Sequence, residues 1–509
     1  MAKFVTSRIL AGPSMMLRRL CTAVEVKAET EATPVVDNES RHLYKRLSAL
    51  GSAKGKVSEV LNEYIREGKS RVVRKQQLQR CITELRRYRK HQCALEVMEW
   101  MVSRGINLGH SDRAILLDLR AKVQGIAAAE KYFNDLSPKE KDCYTYGSLL
   151  NCYCVKKMED KALALFKEMD EMNYASKSLP FNNLMCLYMR LEKPEKVPPL
   201  AEEMKRRNIK LSTFTYNILM TSYISSNDIM GVESAFEEIK RENEKACDWT
   251  TYSHLACAYS KLGFNEKAEL ALKMLEEEMR GAPNREGYHF LISLYGGMSN
   301  LVEVHRVWNS LKSKFQVTTN YSHLIMLQAL SKLNDMDGLK KVFTEWQLSC
   351  SIFDMRLANA VISAYLRHDM VAEAEKVLLI GMERSKGPFF FAWEMFSSFF
   401  LTKEKNISRA LQCIDDAISL VKESEWSPKS DTIDAFLNYF EEEGDVDGAE
   451  RFCSSLKKLS CLKGDVYKSL MQTYIAAGRI SHDMRQRMEQ DGIEISDELK
   501  MLLKKVSPE

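Results

Sequence analysis

Residues 213–223, TFTYNILMTSY, contain two tyrosines, Tyr216 and Tyr223, that lie seven residues apart. An aromatic residue equivalent to Tyr216 recurs along the chain at intervals of 33 to 36 residues. The recurring residues are Tyr146, Phe181, Tyr216, Tyr252, Tyr288 and Tyr321, and the first five are followed seven residues later by Tyr153, Tyr188, Tyr223, Tyr259 and Tyr295. A fixed period of this length indicates a repeat protein.

The period divides the chain into twelve units. They begin at residues 78, 110, 143, 178, 213, 249, 285, 318, 355, 390, 430 and 464. Ten of the twelve carry Tyr or Phe at the eleventh position, from Tyr88 in the first unit to Tyr474 in the last. Residues 43–77 are interpreted as a degenerate thirteenth unit.

Each unit has the pattern of two short helices. In the unit that begins at residue 143, Tyr146, Leu149, Leu150 and Tyr153 follow the i, i+3, i+4, i+7 spacing of one apolar helix face, and a second apolar stripe begins at Ala162. Two helices this short cannot bury both stripes alone, so neighbouring units must stack into a continuous core. We predict an all-α fold: a right-handed α-solenoid of about 12 helix–turn–helix units, with its concave surface lined by the first helices.

A small residue recurs in the second stripe, where two helices must approach closely. It is found at Ala129, Ala162, Ala268, Ala374 and Ala449. These alanines and the recurring aromatic residues are therefore predicted to form the core.

The composition excludes several classes of protein. The 22 glycines and 11 prolines are few for 509 residues, which favours long helical stretches. Hydrophobic residues at 45% and charged residues at 28% exclude a mainly disordered chain. No run of about 18 uncharged apolar residues appears, so no membrane span is predicted. The 13 cysteines form no Cys-x-x-Cys pair, which argues against disulfides and structural zinc.

The first residues have the composition of a targeting segment. Before Glu25 the chain has four basic residues and no acidic one, and these account for the whole net charge of +4. A cationic segment that can form an amphipathic helix is typical of mitochondrial import. We predict a mitochondrial transit peptide over residues 1–24, a linker over 25–42 and a location in the mitochondrial matrix rather than the plastid.

No motif for catalysis, a cofactor or a metal is found. The chain lacks phosphate-binding glycine loops and the His-Glu-x-x-His pair, and no nucleophile has a plausible base. Two histidines, His254 and His323, recur in the tetrapeptide Tyr-Ser-His-Leu at matching repeat positions, which indicates architecture rather than catalysis. We predict that the protein is not an enzyme and needs no cofactor.

The stretch 213–223 resembles the first helix of a pentatricopeptide repeat (PPR). Residues 261–268, KLGFNEKA, and 162–169, ALALFKEM, resemble the turn and the second helix of the same motif. The resemblance covers residues 78–498 and leaves 499–509 as a C-terminal tail. With the predicted transit peptide, the chain is similar to the P-type PPR proteins of plant organelles.

The resemblance implies binding of single-stranded RNA, with one base contacted per unit by the fifth and the last residue. The pairs that match the family are Asn182 with Ser212 for cytosine, Asn217 with Asp248 for uracil, Ser253 with Asn284 for adenine, and Ser322 with Asp354 for guanine. They predict a footprint of the form 5′-C-U-A-N-G-3′. The pairs that depart from the family pattern are Gly147 with Lys177, His289 with Val317, Asn359 with Phe389, and Glu394 with Lys429.

A cationic stretch, residues 66–90, is the best candidate for contacts with RNA phosphates, because the chain after residue 24 has no net charge as a whole. The candidate residues are Arg71, Arg74, Lys75, Arg86, Arg87, Arg89 and Lys90. A solvated face of two terminal helices is an alternative interpretation of the same charges.

The favoured hypothesis is sequence-dependent binding of single-stranded mitochondrial RNA, which acts on transcript processing, stability or translation by occupancy. The alternative hypothesis is a protein-binding scaffold whose groove holds a peptide, a ribosomal protein or an RNA-processing protein. Neither hypothesis involves catalysis.

Overall fold

The structure is a computed structural model. It describes residues 38–50, 56–67, 74–242, 247–420 and 426–507. All regular elements in this part of the chain are helical, which confirms the predicted all-α fold. The predicted transit peptide, most of the linker and Arg71 lie outside the described residues.

The helices are short and follow one another at regular intervals. They are α1 (Asn38–Ala49), α2 (Val57–Glu67), α3 (Lys75–Arg87), α4 (His91–Ser103), α5 (His110–Val123), α6 (Ile126–Asp135), α7 (Cys143–Val155), α8 (Glu159–Glu171), α9 (Ser178–Arg190), α10 (Val197–Arg206, after a 3₁₀ turn at Pro194–Lys196), α11 (Thr213–Ser225), α12 (Ile229–Glu242), α13 (Trp249–Lys261), α14 (Asn265–Glu278), α15 (Arg285–Gly297), α16 (Leu301–Lys314), α17 (Asn320–Lys332), α18 (Met336–Ser349), α19 (Met355–Arg367), α20 (Val371–Arg384), α21 (Phe390–Thr402), α22 (Ile407–Ser419), α23 (Ser430–Glu443), α24 (Val446–Lys458), α25 (Gly464–Ala476), α26 (Met484–Gln490) and α27 (Asp497–Val506).

Each odd-numbered helix up to α25 is the first helix of a hairpin, and the even-numbered helix after it is the second. The chain divides into two compact units, one that ends at Ala282 and one that begins at Pro283. In each unit, first helices pack on the first helices of neighbouring hairpins and on their own second helices.

Ten first helices begin at the residue that the sequence period predicts; the exceptions are α3, at Lys75, and α17, at Asn320.

The turn inside a hairpin has a recurrent backbone conformation. Lys157, two residues beyond α7, has a φ of 59°, and the next N–H, that of Met158, donates back to the carbonyl of Tyr153 at 3.0 Å. This is a Schellman motif, which ends the helix and satisfies an otherwise unpaired carbonyl. Asn227 and Gly263 occupy the equivalent left-handed position in later hairpins. The turn therefore fixes the close approach of the two helices.

The recurring small and aromatic residues form the core, as the period predicts. Ala162, Ala268 and Ala374 are fully buried, and Phe181 and Tyr216 are 1% exposed. Tyr88 is different, because it follows α3 and is 58% exposed. Since α3 begins at Lys75 rather than 78, the buried eleventh residue of this helix is Leu85.

A second recurrent contact joins consecutive hairpins through the eleventh residue. The Tyr153 hydroxyl donates to Glu130 of the preceding hairpin at 2.9 Å, and Lys161 pairs with the same carboxylate at 2.6 Å. We call this arrangement the tyrosine staple. Its other members are Tyr259 with Glu233 and Lys267, and Tyr474 with Glu450 and Arg487. The Lys267 ammonium and the Tyr259 hydroxyl lower the pKa of Glu233.

Residues 499–506, most of the predicted C-terminal tail, are helical and packed. They lie in α27, which packs on α25. Leu499, Leu503 and Val506 are buried. Their spacing of four and three residues places them on one helix face, which covers the end of the last hairpin.

Candidate nucleic-acid interface

Two of the predicted base-contacting side chains meet where consecutive first helices pack. Asn217 extends from α11 toward the N-terminus of α13, where its Nδ2 donates to Thr250 Oγ1 at 2.7 Å. Thr250 Oγ1 in turn donates to Oδ1 of Asp248, which caps α13. We call this junction, between the fifth residue of one first helix and the cap and first turn of the next, the reading seam. The structure brings Asn217 and Asp248 into one hydrogen-bonded chain.

The second compact unit has reading seams at equivalent positions, with different hydrogen bonds. His289 Nε2 lies 2.8 Å from Ser322 Oγ, and Ser322 in turn contacts the cap residue Thr319 at 2.9 Å. Glu394 Oε1 accepts from the backbone N–H of Lys429 at 2.8 Å and from Thr432 Oγ1 at 3.0 Å. The fifth residue therefore contacts the next first helix even where its chemistry departs from the family pattern.

Three of the predicted fifth residues are buried. Asn182 is 4% exposed, Asn217 is 3% exposed and Ser253 is 1% exposed. The Oδ1 atoms of Asn182 and Asn217 have no hydrogen-bond partner. Because an unpaired buried acceptor destabilises a fold by roughly 1–3 kcal/mol, a seam with open acceptors fits a ligand that supplies donors.

The last residues of the predicted pairs are helix N-caps. Ser212, Asp248, Asn284 and Asp354 cap α11, α13, α15 and α19 by accepting backbone N–H groups of the first turn. A cap of this kind contributes about 1 kcal/mol to stability, so a capping role accounts for these residue types without RNA. Burial favours the neutral form of Asp354, but hydrogen bonds from Arg356 outweigh it and lower the pKa of the carboxyl.

The assignment of Ser322 as a fifth residue is wrong. Helix α17 begins at Asn320, two residues later than the sequence period indicates, and Thr319 is its cap. Ser322 is therefore the third residue of the helix, where its N–H donates to Thr319 Oγ1 at 3.2 Å. In this register the fifth residue of α17 is Leu324, and the residue paired with His289 is Thr319 rather than Val317.

Ser253 and Asn284 lie in different compact units. Ser253 Oγ donates to the carbonyl of Thr250 in its own helix at 2.7 Å. Asn284 Oδ1 accepts from the N–H of Glu286 at 2.8 Å. Each side chain thus has a local hydrogen bond.

Comparison with known proteins gives matches to repeat profiles inside the region of the seams. A profile described as PPR repeat family matches residues 178–225, and one described as PPR repeat matches 144–174, 214–244 and 357–380. Two mitochondrial pentatricopeptide repeat-containing proteins of Arabidopsis thaliana are similar over almost the whole chain. One is 46% identical over 93% of this chain and 88% of its own length, and the other is 44% identical over 97% and 99%.

The chain belongs to the pentatricopeptide repeat family. Another relative, the large ribosomal subunit protein mL101 of Arabidopsis thaliana, is 42% identical over 91% of this chain and 94% of its own length. The crystal structure of the PPR protein PPR10 from maize matches with a TM-score of 0.42 and 15% identity, over 92% of this chain and 70% of that one.

Four of the six predicted phosphate contacts that the structure describes already have protein partners, and one of these, Arg87, lies 3.8 Å from Glu84 in its own helix. Lys75 pairs with the buried Asp112 at 2.7 Å, Arg86 lies 3.6 Å from Asp118, and the Lys90 ammonium binds the carbonyl of Ser48. These three cations therefore belong to the packing of the first hairpins.

Three of the candidates in the stretch are exposed. Arg74, Arg87 and Arg89 lie on the surface, at the two ends of α3. At about 1.5 Å rise per residue, the helix separates Arg74 from the other two by roughly 20 Å. The predicted patch is thus a set of separated charges.

A row of cations that sequence reasoning missed occurs within the PPR array. Four first helices of thirteen residues end on a basic residue: Arg190, Lys261, Lys332 and Arg367. Lys261 Nζ donates to the carbonyl of Ile224 in the preceding first helix at 2.7 Å. A cation here stabilises the helix C-terminus. The spacing of these four cations, 35 or 71 residues, is the signal that the sequence offered.

Among the residues that the structure describes, no helix is long and apolar enough to cross a membrane. Nor do three or more His, Cys, Asp or Glu side chains there converge into a site able to hold a metal ion.

Proposed function

We propose that this PPR protein binds single-stranded RNA in the mitochondrial matrix and acts by occupancy. The observation that carries the proposal is the reading seam of Asn217 and Asp248, where the two residues that the family uses for one base form one hydrogen-bonded chain. Single-stranded RNA exposes its base edges once per nucleotide, and a helical repeat offers one set of polar groups at the same interval. Two relatives named as mitochondrial support the location.

Base recognition is assigned first to the repeats that begin at residues 178 and 213. Asn182 with Ser212 is proposed to bind cytosine, and Asn217 with Asp248 to bind uracil. The adenine at Ser253 with Asn284 stays a prediction from the sequence, because the two residues lie in different compact units. The guanine at Ser322 and Asp354 is removed, because Ser322 is not a fifth residue. Binding requires the seams to open, since the amide groups of Asn182 and Asn217 are buried.

Phosphate contacts are proposed for the exposed Arg74, Arg87 and Arg89 and for the cations that end the first helices. A bound RNA held in this way neutralises several phosphates. Its affinity therefore falls as salt rises, with a slope set by the number of contacts.

A selection from random single-stranded RNA with the full chain tests the proposal. We expect enrichment of a C-U dinucleotide, and loss of the U preference by about tenfold in a variant with Asn217→Ala and Asp248→Ala. Because Asp248→Ala removes a helix cap, thermal unfolding of the variant is measured beside binding. A U preference that survives both substitutions in a folded variant contradicts the assignment.

Two observations favour a second function, a protein-binding scaffold on a mitochondrial ribosome. The fifth residues are buried, and a relative 42% identical to this chain is a large ribosomal subunit protein. Ultraviolet crosslinking in isolated mitochondria separates the two. RNA joined directly to the chain favours base recognition, whereas co-purification of ribosomal proteins without crosslinked RNA favours the scaffold.

A further inference from the structure

The turn between α3 and α4 exposes an aromatic ring. Tyr88 caps the C-terminus of α3 and is 58% exposed. The equivalent cap residues of α7, α9 and α11 are Lys156, Leu191 and Ser226, which are not aromatic. Since the buried eleventh residue of α3 is Leu85, the core of this hairpin does not use the Tyr88 ring. The ring is therefore available for another contact.

Two arginines, Arg87 and Arg89, flank the ring in the sequence, and both side chains are exposed. Arg87 lies 3.8 Å from Glu84, an exposed ion pair of a kind that contributes at most about 1 kcal/mol. Arg46 of α1 differs, because it binds Glu63 of α2 at 2.8 Å. The turn thus presents two positive charges to the solvent.

The backbone of this turn has the conformation found in the other hairpins. Arg89 has a φ of 58°, and the next N–H, that of Lys90, donates back to the carbonyl of Leu85 at 2.8 Å. The turn is thus a Schellman motif, which fixes its backbone by hydrogen bonds. A ligand that binds here therefore does not have to order the backbone of the turn.

Helix α1 supports the ring from one side. The ring centroid of Tyr44, in α1, lies 6.0 Å from that of Tyr88, and the ring planes are 38° apart. The Lys90 ammonium binds the carbonyl of Ser48, which attaches the turn to the same helix. Tyr44 is half-buried, whereas most of Tyr88 is exposed. One ring is thus held in place by the other and has open surface for a ligand.

An exposed aromatic ring among cations is suited to single-stranded nucleic acid. The ring can stack on any base, because every base has a π face. Each guanidinium can bind a phosphate through paired N–H donors. An acidic peptide would engage the arginines but would leave the ring without a partner.

We propose that the α3–α4 turn binds one unpaired nucleotide of single-stranded RNA outside the repeats that select bases, an inference that rests on the proposed function. Tyr88 stacks on the base, and Arg87 and Arg89 bind the adjoining phosphates. Neither stacking nor a phosphate contact reads the edge of a base. The turn therefore adds affinity for a single strand without adding sequence preference.

The test measures how an RNA extension changes affinity for the full-length protein, by fluorescence anisotropy. A short RNA with the C-U dinucleotide is compared with RNAs that carry about eight further nucleotides on one side or the other. Two repeats, which begin at residues 110 and 143, separate the turn from the repeat at 178, so at about one nucleotide per repeat the extension is long enough to reach the turn.

We expect one of the two extensions to tighten binding by about tenfold whatever its sequence. An abasic extension of the same length should give a smaller gain, since it keeps the phosphates and lacks the bases.

Substitutions separate stacking from charge. Tyr88→Ala should reduce the gain to that of the abasic extension, whereas Tyr88→Phe keeps the ring and should keep the gain. Arg87→Gln combined with Arg89→Gln should weaken binding of both extensions and reduce the salt slope by about 2. The U preference at the seam of Asn217 should remain in all of these variants.

Phe264→Ala is the matched control, because Phe264 is a 47% exposed ring at the turn between α13 and α14, with Gly263 and Asn265 beside it instead of arginines. It should leave the gain unchanged. A gain that Tyr88→Ala removes supports the site even if no U preference is found, and then contradicts the base assignment alone.

Three results overturn this inference and leave the proposed function intact: a U preference without a gain from either extension, a gain that Tyr88→Ala leaves intact, or a gain that Phe264→Ala removes equally. The absence of any RNA binding overturns the proposed function with it.

Discussion

The reading seams and the tyrosine staples both join consecutive repeats, but they differ in how their polar atoms are paired. In the staple of Tyr474, the carboxylate of Glu450 binds the tyrosine hydroxyl at 2.8 Å and Arg487 at 2.6 Å. In the seam of Asn217, Nδ2 is bonded but Oδ1 has no partner, although the side chain is buried. Natural proteins depart from complete pairing mainly at functional sites. The staple is therefore architecture, and the seam is where a ligand is expected.

Breaking a staple is expected to have the largest effect on stability. Glu450→Ala leaves the Tyr474 hydroxyl and the half-buried Arg487 without their shared acceptor. We expect the free energy of unfolding to fall by about 2 kcal/mol, because hydrogen bonds to charged groups contribute more than neutral ones. Urea denaturation followed by circular dichroism measures this change.

The matched control for the staple is Glu383→Ala, on an exposed face of a second helix. It should change the free energy of unfolding by less than about 0.5 kcal/mol. RNA affinity of the folded Glu450→Ala protein should stay within twofold of the wild type. A large loss of affinity in this variant would remove the distinction between the two kinds of contact.

A substitution in the seam should have the opposite profile. Asn217→Leu removes a buried group with an unpaired acceptor and keeps the branching of the side chain at Cγ, while Thr250 Oγ1 keeps its bond to Asp248. We expect unchanged or higher stability, since an apolar group of similar shape replaces an incompletely satisfied one. The U preference should fall by about tenfold. The paired measurement is urea denaturation and anisotropy with RNAs that differ only at this base.

Equal losses of stability in Asn217→Leu and Glu450→Ala would show that the seam is as structural as the staple. In that case the buried position of Asn217 has a packing explanation, and the ribosomal scaffold becomes the better function. The two variants therefore have to be compared to decide between base recognition and the scaffold function.

The hairpins could be predicted from the sequence because the recurring aromatic residues pack in the core once per repeat. Ten first helices begin at the residue that this period predicts. The register error at α17 has a visible source in the sequence. Tyr-Ser-His-Leu occurs at residues 252–255 and 321–324, which suggested the same register. In the structure His254 is the sixth residue of α13, but His323 is the fourth of α17, where it packs on Trp308 in place of the usual aromatic.

The side-chain pairing in the seams and staples was beyond sequence reasoning. The sequence gives Asn217 and Asp248 at a spacing of one repeat but does not give the bond through Thr250. The partners of the staple tyrosines, such as Glu130, come from the preceding hairpin, and their contact depends on how hairpins stack. The hydrogen bonding of Glu394 also could not be predicted from the sequence. Its Oε1 accepts hydrogen bonds, whereas its Oε2 has no hydrogen-bond partner.

The smallest expected effect is a dependence of stability on pH. It comes from two buried histidines that pack in the core of the repeats. Burial lowers the pKa of His254 and of His323, against the raising effect of a backbone carbonyl beside each ring. Both imidazoles are thus neutral in the fold and become protonated in the unfolded chain near pH 6.5. The stability present above that pH is lost as the pH falls toward the lower pKa values of the folded state. Urea denaturation at pH 7.5 and 5.5 should show this loss, and His254→Gln should reduce it; an equal loss in the variant would assign it to other groups.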